Sequence, residues 1–398
     1  MLDLSRAMSH AMTAFHYGGW SDAIYWGAME PIVRITALGD VHMKHEFMDA
    51  IYGPFARAGA EILVRHAADS YTQLYEIEKD RQSFEDVVEA EFINAWRSEF
   101  GASLDGFRTF VDQLEDVGEK ESKPVLRFRR SDLSLMLSSA AELSPLDAQR
   151  TLEAVTLHPR PQWRVVSRDF KNKDWFPWRF RRRLSALRRP FFEIGLADDP
   201  AVIVAPGLVR QAFAAGMGWF YHGEIPQGQA KSDEMRRWIG KANNVQRTKF
   251  NAAVASKMKE LGWQSEKEVR ITKILGRSLD HDYGDVDVLA WQPASGRVLA
   301  MECKDLQFLK SLGEVAEQLS DFRGEIRADG KPDHLKKHLN RLQVLNANRD
   351  AVSKSLKLES PIQVEGHLVF KNPVPMQFAW EKMASKVRLS LFSELQNL

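Results

Sequence analysis

The chain reads as an α+β / α/β protein with a mostly helical N-terminal part, a basic middle segment and a C-terminal core ordered helix, three strands, helix, strand. Three observations predict this. Apolar residues recur at helical spacing early in the chain, as at Val87, Val88, Phe92, Ala95, Trp96 and Phe100. The charge then reverses: Glu76 to Lys123 holds 14 acidic and 6 basic residues, whereas Arg160 to Arg189 holds 11 basic residues against Asp169 and Asp174. From Asn243 short apolar runs of strand length alternate with helical patterns. These shifts divide the chain into a helical domain over 1–155, a basic, aromatic-rich α+β segment over 156–242 and a core domain over 243–398.

In the first part, Leu104, Phe107, Phe110, Val111 and Leu114 continue the helical pattern after Gly101. Ser144 followed by Pro145 is a helix start, with the serine as N-cap and the proline in the first turn. "VGEKESKP" between them is a charged break that reads as a linker. His42, His45 and Glu46 in "HMKHE" lack the two histidines four apart that zinc peptidases use, so they are read as ordinary residues.

In the middle, "PAVIVAPGLV" from Pro200 predicts a short buried strand and a turn. The stretch from Arg160 interleaves its cations with Trp163, Phe170, Trp175, Phe176, Trp178 and Phe180. Arg179, Arg181, Arg182, Arg183, Arg188 and Arg189 are candidate nucleic-acid contacts, because cations attract phosphates while rings stack on unpaired bases. The alternative is a small aromatic core decorated by arginines.

"GKANN" (Gly240 to Asn244) reads as an exposed boundary. Beyond it Phe250, Val254, Met258 and Leu261 predict a helix that ends at Gly262. "EVRITKIL" is strand-like through its β-branched residues. "DVDVLAW" and "RVLAMECK" are two apolar strands joined through the turn-forming "QPASG". "SLGEVAEQLSDF" predicts a helix and "PIQVEGHLVF" a further strand.

The functional signal is the charge within "YGDVDVLAWQPASGRVLAMECKD". Side chains alternate along a strand, so Glu302 and Lys304 share one face and Cys303 takes the other. Pairing of the two strands brings Asp287 beside them, with Asp285 on the same face as the alternative. Two converging carboxylates suit a hard divalent cation, Mg2+ or Mn2+. Such an ion polarises a phosphodiester and acidifies a bound water. A lysine beside it positions the water or steadies the growing charge. A buried carboxylate with no such partner would be costly.

Asp287, separated by 14 residues from Glu302-Cys303-Lys304, resembles the PD-(D/E)xK signature of the restriction-endonuclease-like superfamily. Gly284-Asp285-Val286-Asp287 is similar to the G-x-x-D form of its Mrr-like and resolvase-like branches. The resemblance covers Asn243 to the C-terminus. It implies an αβββαβ core and magnesium-dependent hydrolysis of DNA, less often RNA, with Asp287 and Glu302 as metal ligands and Lys304 as the catalytic lysine. Many members carry an acidic residue in the first helix. Here that helix offers Asn251, and Glu266 or Glu268 are the carboxylates that would substitute from the first strand or its approach. Gln318 resembles the polar helix residue that some branches place over the site.

One cysteine, Cys303, excludes an internal disulfide and a cysteine-rich zinc site, and suits a reducing cytoplasm. No apolar run reaches the roughly 18 residues of a membrane span, and the first residues lack the layout of a secretory signal. No glycine-rich phosphate loop with lysine is present. The expectation is a cytoplasmic, metal-dependent nuclease acting on nucleic acid, DNA before RNA, in bacterial antiviral defence or restriction. The competing readings are a nucleic-acid-binding module with a nuclease-like fold and no cleavage, and a helical interaction subunit of a larger complex, in which the acidic segment is the docking surface for protein partners.

Overall fold

A computed structural model describes residues 2–61, 88–162, 164–166, 168–180, 182–359, 361–383 and 387–398. Two compact units emerge: Met1–Tyr71 together with Val245–Leu398, and Thr72–Asn244. The α+β class expected from the sequence holds in both, since each combines helices with a sheet.

In the first unit the helices include α1 (Leu2–Tyr25), α2 (Asp233–Glu260, shared with the second unit), α3 (Ile271–Leu275), α4 (Leu312–Ser320), α5 (His334–Ala347) and α6 (Arg349–Leu356). The strands β1 (Gln264–Arg270), β2 (Asp285–Gln292), β3 (Arg297–Lys304), β4 (Gln363–Phe370) and β5 (Val387–Leu391) form one sheet in the order β5-β4-β3-β2-β1. β1, β2 and β3 are antiparallel, while β4 runs parallel to β3 and β5 parallel to β4. Parallel neighbours need a crossover connection, and α4, α5 and α6 fill the one between β3 and β4.

The two central strands are apolar on both faces because both faces are covered. Leu289, Val298, Ala300 and Leu368 join a core with Trp20, Val315 and Leu342. Val288, Ala290, Leu299 and Met301 join another with Phe250, Val254 and Met258 of α2. α1 belongs to this unit: it packs on α4 so closely that a Cβ on Gly313 would lie 2.5 Å from Cβ of Asp22. The sequence reading instead groups α1 with the helices that follow it.

Three local expectations are corrected. "ITKIL" forms α3 rather than continuing a strand, because Ile271, Ile274 and Leu275 bury together at helical spacing and Gly276 ends the turn at φ 65°. The division between the units does fall at "GKANN", after Asn244, but inside α2 and not in a loop, because Met235, Trp238 and Ile239 carry the helix upstream of the change in texture. Part of "VGEKESKP" is helical, since the helix from Leu104 runs to Glu121.

In the second unit strands Leu126–Arg129, Ala201–Val204, Phe191–Ile194 and Thr156–Leu157 form a four-stranded sheet in that order. Helices Ala90–Phe100, Leu104–Glu121, Arg130–Ala140, Pro145–Ala154 and Pro206–Tyr221 surround it. The Ser144 hydroxyl accepts from the Asp147 amide, as its place before Pro145 predicts. Among the described residues no helix is long and apolar enough to cross a membrane.

Candidate active site

The register of β2 and β3 sets Val288 opposite Met301, which carries Asp287 to the level of Glu302. Both carboxylates are buried, at 4% and 6% exposure. The Asp287 side chain takes over where the ladder ends: its Oδ2 accepts from the Cys303 amide at 2.9 Å, tying the carboxylate to β3. Lys304, two residues after Glu302 and on the same face, donates from Nζ to Glu302 Oε1 at 2.6 Å.

Elements beyond the hairpin complete the cluster. Arg341 of α5 donates from Nη1 to Glu302 Oε2 and from Nε to the Tyr283 carbonyl at 2.9 Å. His338 lies one turn earlier on α5 and is buried. Fully buried Asn251 of α2 has its Nδ2 3.5 Å from both Asp287 Oδ1 and Glu268 Oε1, while its Oδ1 has no hydrogen-bond partner among the described residues. Glu268 sits across β1 from Asp287, between the pairs Lys267–Val288 and Val269–Val286, in the left-handed region at φ 54°. Thr248 donates to it at 3.1 Å. Arg247 reaches 3.9 Å from Asp287, 4.0 Å from Asp285 and 3.8 Å from Glu268.

The electrostatics divide the two carboxyls. Burial pushes Asp287 up to about 6, and the neighbouring charge of Glu302 adds to it, with Lys304 a partial offset. Burial also works to raise Glu302, but Lys304 and Arg341 outweigh it and hold the group below the usual carboxylate range. Burial alone would weaken the charge on Lys304; Glu302 and Asp287 reverse that and raise it. Burial drives the Cys303 thiol well up, so it stays neutral and is no nucleophile. His338 is pushed down to about 4 by burial and stays neutral.

The hairpin therefore brings together Asp287, Glu302 and Lys304, with Glu268 alongside. Asp285 is half-buried at the start of β2, with its carboxylate 4.0 Å from Arg247. Glu266 is not brought in: it stands opposite Leu289 and pairs with Lys273. Gln318 lies half-buried on α4 and makes no side-chain hydrogen bond to these groups. Arg341, His338 and Arg247 were not foreseen. The signal for the first two was present in "HLKKHLNRL", where His338 and Arg341 interrupt the apolar face formed by Leu335, Leu342 and Leu345.

Among the described residues no three His, Cys, Asp or Glu side chains converge as a metal-ligand set. The donors nonetheless suit a hard cation. They are two buried carboxylates, one of them short of positive charge, and the unpartnered carbonyl oxygen of Asn251.

In the basic segment some of the rings pack together and several of the arginines bond to backbone. Trp175 is buried, and Phe176 stacks on Trp178 at 4.5 Å. The arginines hold irregular backbone: Arg182 donates to the carbonyls of Arg179 and Leu184, Arg183 to that of Asp169, and Arg189 to that of Thr156. Arg188 donates to Gln229, and Arg179 is itself buried. Arg181 and Trp163 lie outside the described residues.

No curated protein and no solved structure matches the chain. A family model described as "Anti-phage protein Upx-like" matches residues 1–395. That match runs through both units, from the helix packed on α4 to the last strand of the acidic centre's sheet. The chain belongs to the Upx-like family of anti-phage proteins.

Proposed function

We propose that the chain is a nuclease dependent on Mg2+ or Mn2+, cutting DNA in preference to RNA as its part in defence against phage. The observation that carries this is the convergence of Asp287, Glu302 and Lys304 at the ends of paired central strands; the order helix, three strands, helices, strand resembles the αβββαβ core, with α3 inserted between β1 and β2 and β5 added at the end. Asp287 and Glu302, with the Asn251 carbonyl, would hold the ion. Bound there, it would supply Lewis-acid activation of the phosphodiester and of a water.

The chain's own side chains do the rest. The Cys303 amide fixes Asp287 in rotation. Arg341 and Lys304 grip Glu302 from two sides and set its plane. Lys304, kept charged by the two carboxylates, steadies negative charge growing on the phosphate or orients the attacking water. Burial of the centre strengthens each of these interactions.

One observation favours a second reading, a nucleic-acid-binding module without cleavage. Both oxygens of Glu302 are already engaged by Lys304 and Arg341, so the centre is electrostatically satisfied on that side. A panel of labelled single- and double-stranded DNA and RNA separates the two. The purified chain should cut DNA with Mg2+ or Mn2+, stop when a chelator is added, and lose cleavage in Lys304→Ala. Binding with no metal-dependent cleavage of any of the four substrates would install the second reading.

A further inference from the structure

The second unit contains a concentration of positive charge that the centre of the first unit does not use. Arg183, Arg188, Arg189 and Lys231 line one cavity of about 40 Å³, with Glu99 and Gln229 in the same wall. At roughly 10–15 Å³ per water-sized site, that is room for about three waters or one tetrahedral oxyanion, and too little for a base or a sugar. Lys231 is exposed, so the cavity reaches solvent on that side.

Buried cations are ordinarily paired with carboxylates. Here most of the hydrogen bonds go to neutral acceptors. Arg183 donates to the Asp169 carbonyl at 3.0 Å, Arg188 to the Gln229 side chain at 3.0 Å and Arg189 to the Thr156 carbonyl at 2.9 Å. The Asp174 carboxylate approaches Arg183 only to 3.9 Å. Glu99, the carboxylate in the wall, is largely committed elsewhere: it accepts from the Lys231 and Ser232 amides and the Ser232 hydroxyl at 2.8–3.1 Å. Each guanidinium carries five N–H donors in a rigid fork, so donors remain for a further acceptor.

The rings agree with this arrangement. Arg183 and Arg189 stack over Phe170 at 4.6 and 5.5 Å, and Arg188 over Phe220 at 5.6 Å, which fixes the planes of the forks without neutralising them. The surplus charge registers on the groups themselves. Arg188 is pushed down to about 10 by burial and then by Arg183, and Arg189 is lowered by the same two causes.

We infer that this cavity binds a phosphate group, either as inorganic phosphate or as the monoester end of a nucleotide or nucleic-acid strand whose remainder lies outside. Three guanidinium forks match tetrahedral oxygens in pairs, and Lys231 closes the open side as a point charge. The site belongs to the second unit and does not depend on the nuclease reading of the first.

The test uses the full chain and follows its melting temperature at constant ionic strength. Inorganic phosphate, 5′-phosphorylated dithymidine and the same dinucleotide with a 5′-hydroxyl are titrated against a chloride control. A saturable rise is expected with at least one of the two probes that carry inorganic or terminal monoester phosphate, and not with the 5′-hydroxyl form, whose one phosphate is the internal diester. If inorganic phosphate suffices, the ligand is the free ion or any monoester; if only the dinucleotide acts, it is a strand or nucleotide end. Lys231→Met should weaken the apparent affinity at least tenfold, and Arg188→Gln likewise. Lys231 is exposed, so its variant reports even where Arg188→Gln does not fold. Asp287→Ala should leave the response intact. A response no larger than chloride gives, or one that survives Lys231→Met, overturns the site; a response lost in Asp287→Ala moves it to the acidic centre.

Discussion

The two units bury charge in opposite ways. In the first, Glu302 is offset within the fold by Lys304 and Arg341, while Asp287 is held by the Cys303 amide with Arg247 no nearer than 3.9 Å. In the second, Arg183, Arg188 and Arg189 mostly meet carbonyls and an amide, and positive charge is left over. A balanced cluster holds itself in place, whereas a surplus is held by the fold and needs a ligand to offset it. The lesson is that counting charges in sequence cannot tell these apart. The basic run from Arg160 to Arg189 looks like an open phosphate-binding strip, yet Arg182, Arg183 and Arg189 donate to backbone carbonyls, and Arg183, Arg188 and Arg189 line one small cavity.

The largest expected effect breaks the balance of the first cluster. Glu302→Gln keeps the shape and removes the charge that Lys304 and Arg341 share. Cleavage should fall by roughly 10²–10³-fold or more, the scale seen when one group that stabilises the transition state is lost. Lys304→Ala should fall equally, but it should leave metal binding in place, as measured by calorimetry with Mn2+. Retained cleavage in either variant removes these residues from the chemistry.

Next comes Arg341, which acts through Glu302 and so is a positioning residue. Removing a group that orients a metal-binding or catalytic side chain costs about 10–100-fold. Arg341→Met should lose activity on that scale, and Arg341→Lys should recover part of it by restoring one donor to Glu302. If methionine and lysine variants are equally impaired, the role is the bond from Nε to the Tyr283 carbonyl, which lysine cannot reproduce.

Much of this cluster was legible in the sequence. Alternation along "RVLAMECK" placed Glu302 and Lys304 together, and the turn-forming "QPASG" placed Asp287 beside them, because both rules are local. Arg341 was not legible, since a crossover connection delivers it from 39 residues away. The long α2 hid in the change of texture at "GKANN", where glycine and asparagines are tolerated because flanking Ile239 and Phe250 bury. α1 was grouped with the helices that follow it in sequence, although it packs on α4: helical texture along the chain does not say which element covers a helix. Glu268 was visible only as one of two options, because its left-handed backbone interrupts β1 opposite Asp287.

A smaller effect tests how tightly the first unit is packed around its charges. Gly366 on β4 lies under α5: a Cβ there would fall 2.2 Å from Leu342 Cδ1 and 3.2 Å from His338 Nε2. Gly366→Ala should destabilise by about 1–3 kcal/mol, the usual cost of overpacking a tight interior. Because α5 also carries Arg341, cleavage should fall with it even well below the melting temperature. Stability lost with activity unchanged would show that α5 shifts without moving Arg341.

The smallest effect distinguishes the two glutamates of β1, which the sequence offered as alternatives. Glu266 stands opposite Leu289 and pairs with Lys273, a pair in which both side chains are largely exposed. Exposed ion pairs contribute about 0–1 kcal/mol. Glu266→Gln should therefore change stability by no more than that and leave cleavage within about twofold of the parent chain. Glu268 stands opposite Asp287 and shares Asn251 and Arg247 with it. Glu268→Gln should lower cleavage well beyond twofold, by altering how Asn251 and Arg247 meet Asp287. Measured on one DNA substrate at saturating Mn2+, the ratio of the two variants is the informative quantity. A Glu266→Gln variant weaker than Glu268→Gln would reverse the assignment and place the accessory carboxylate two residues earlier on β1, against the register seen here.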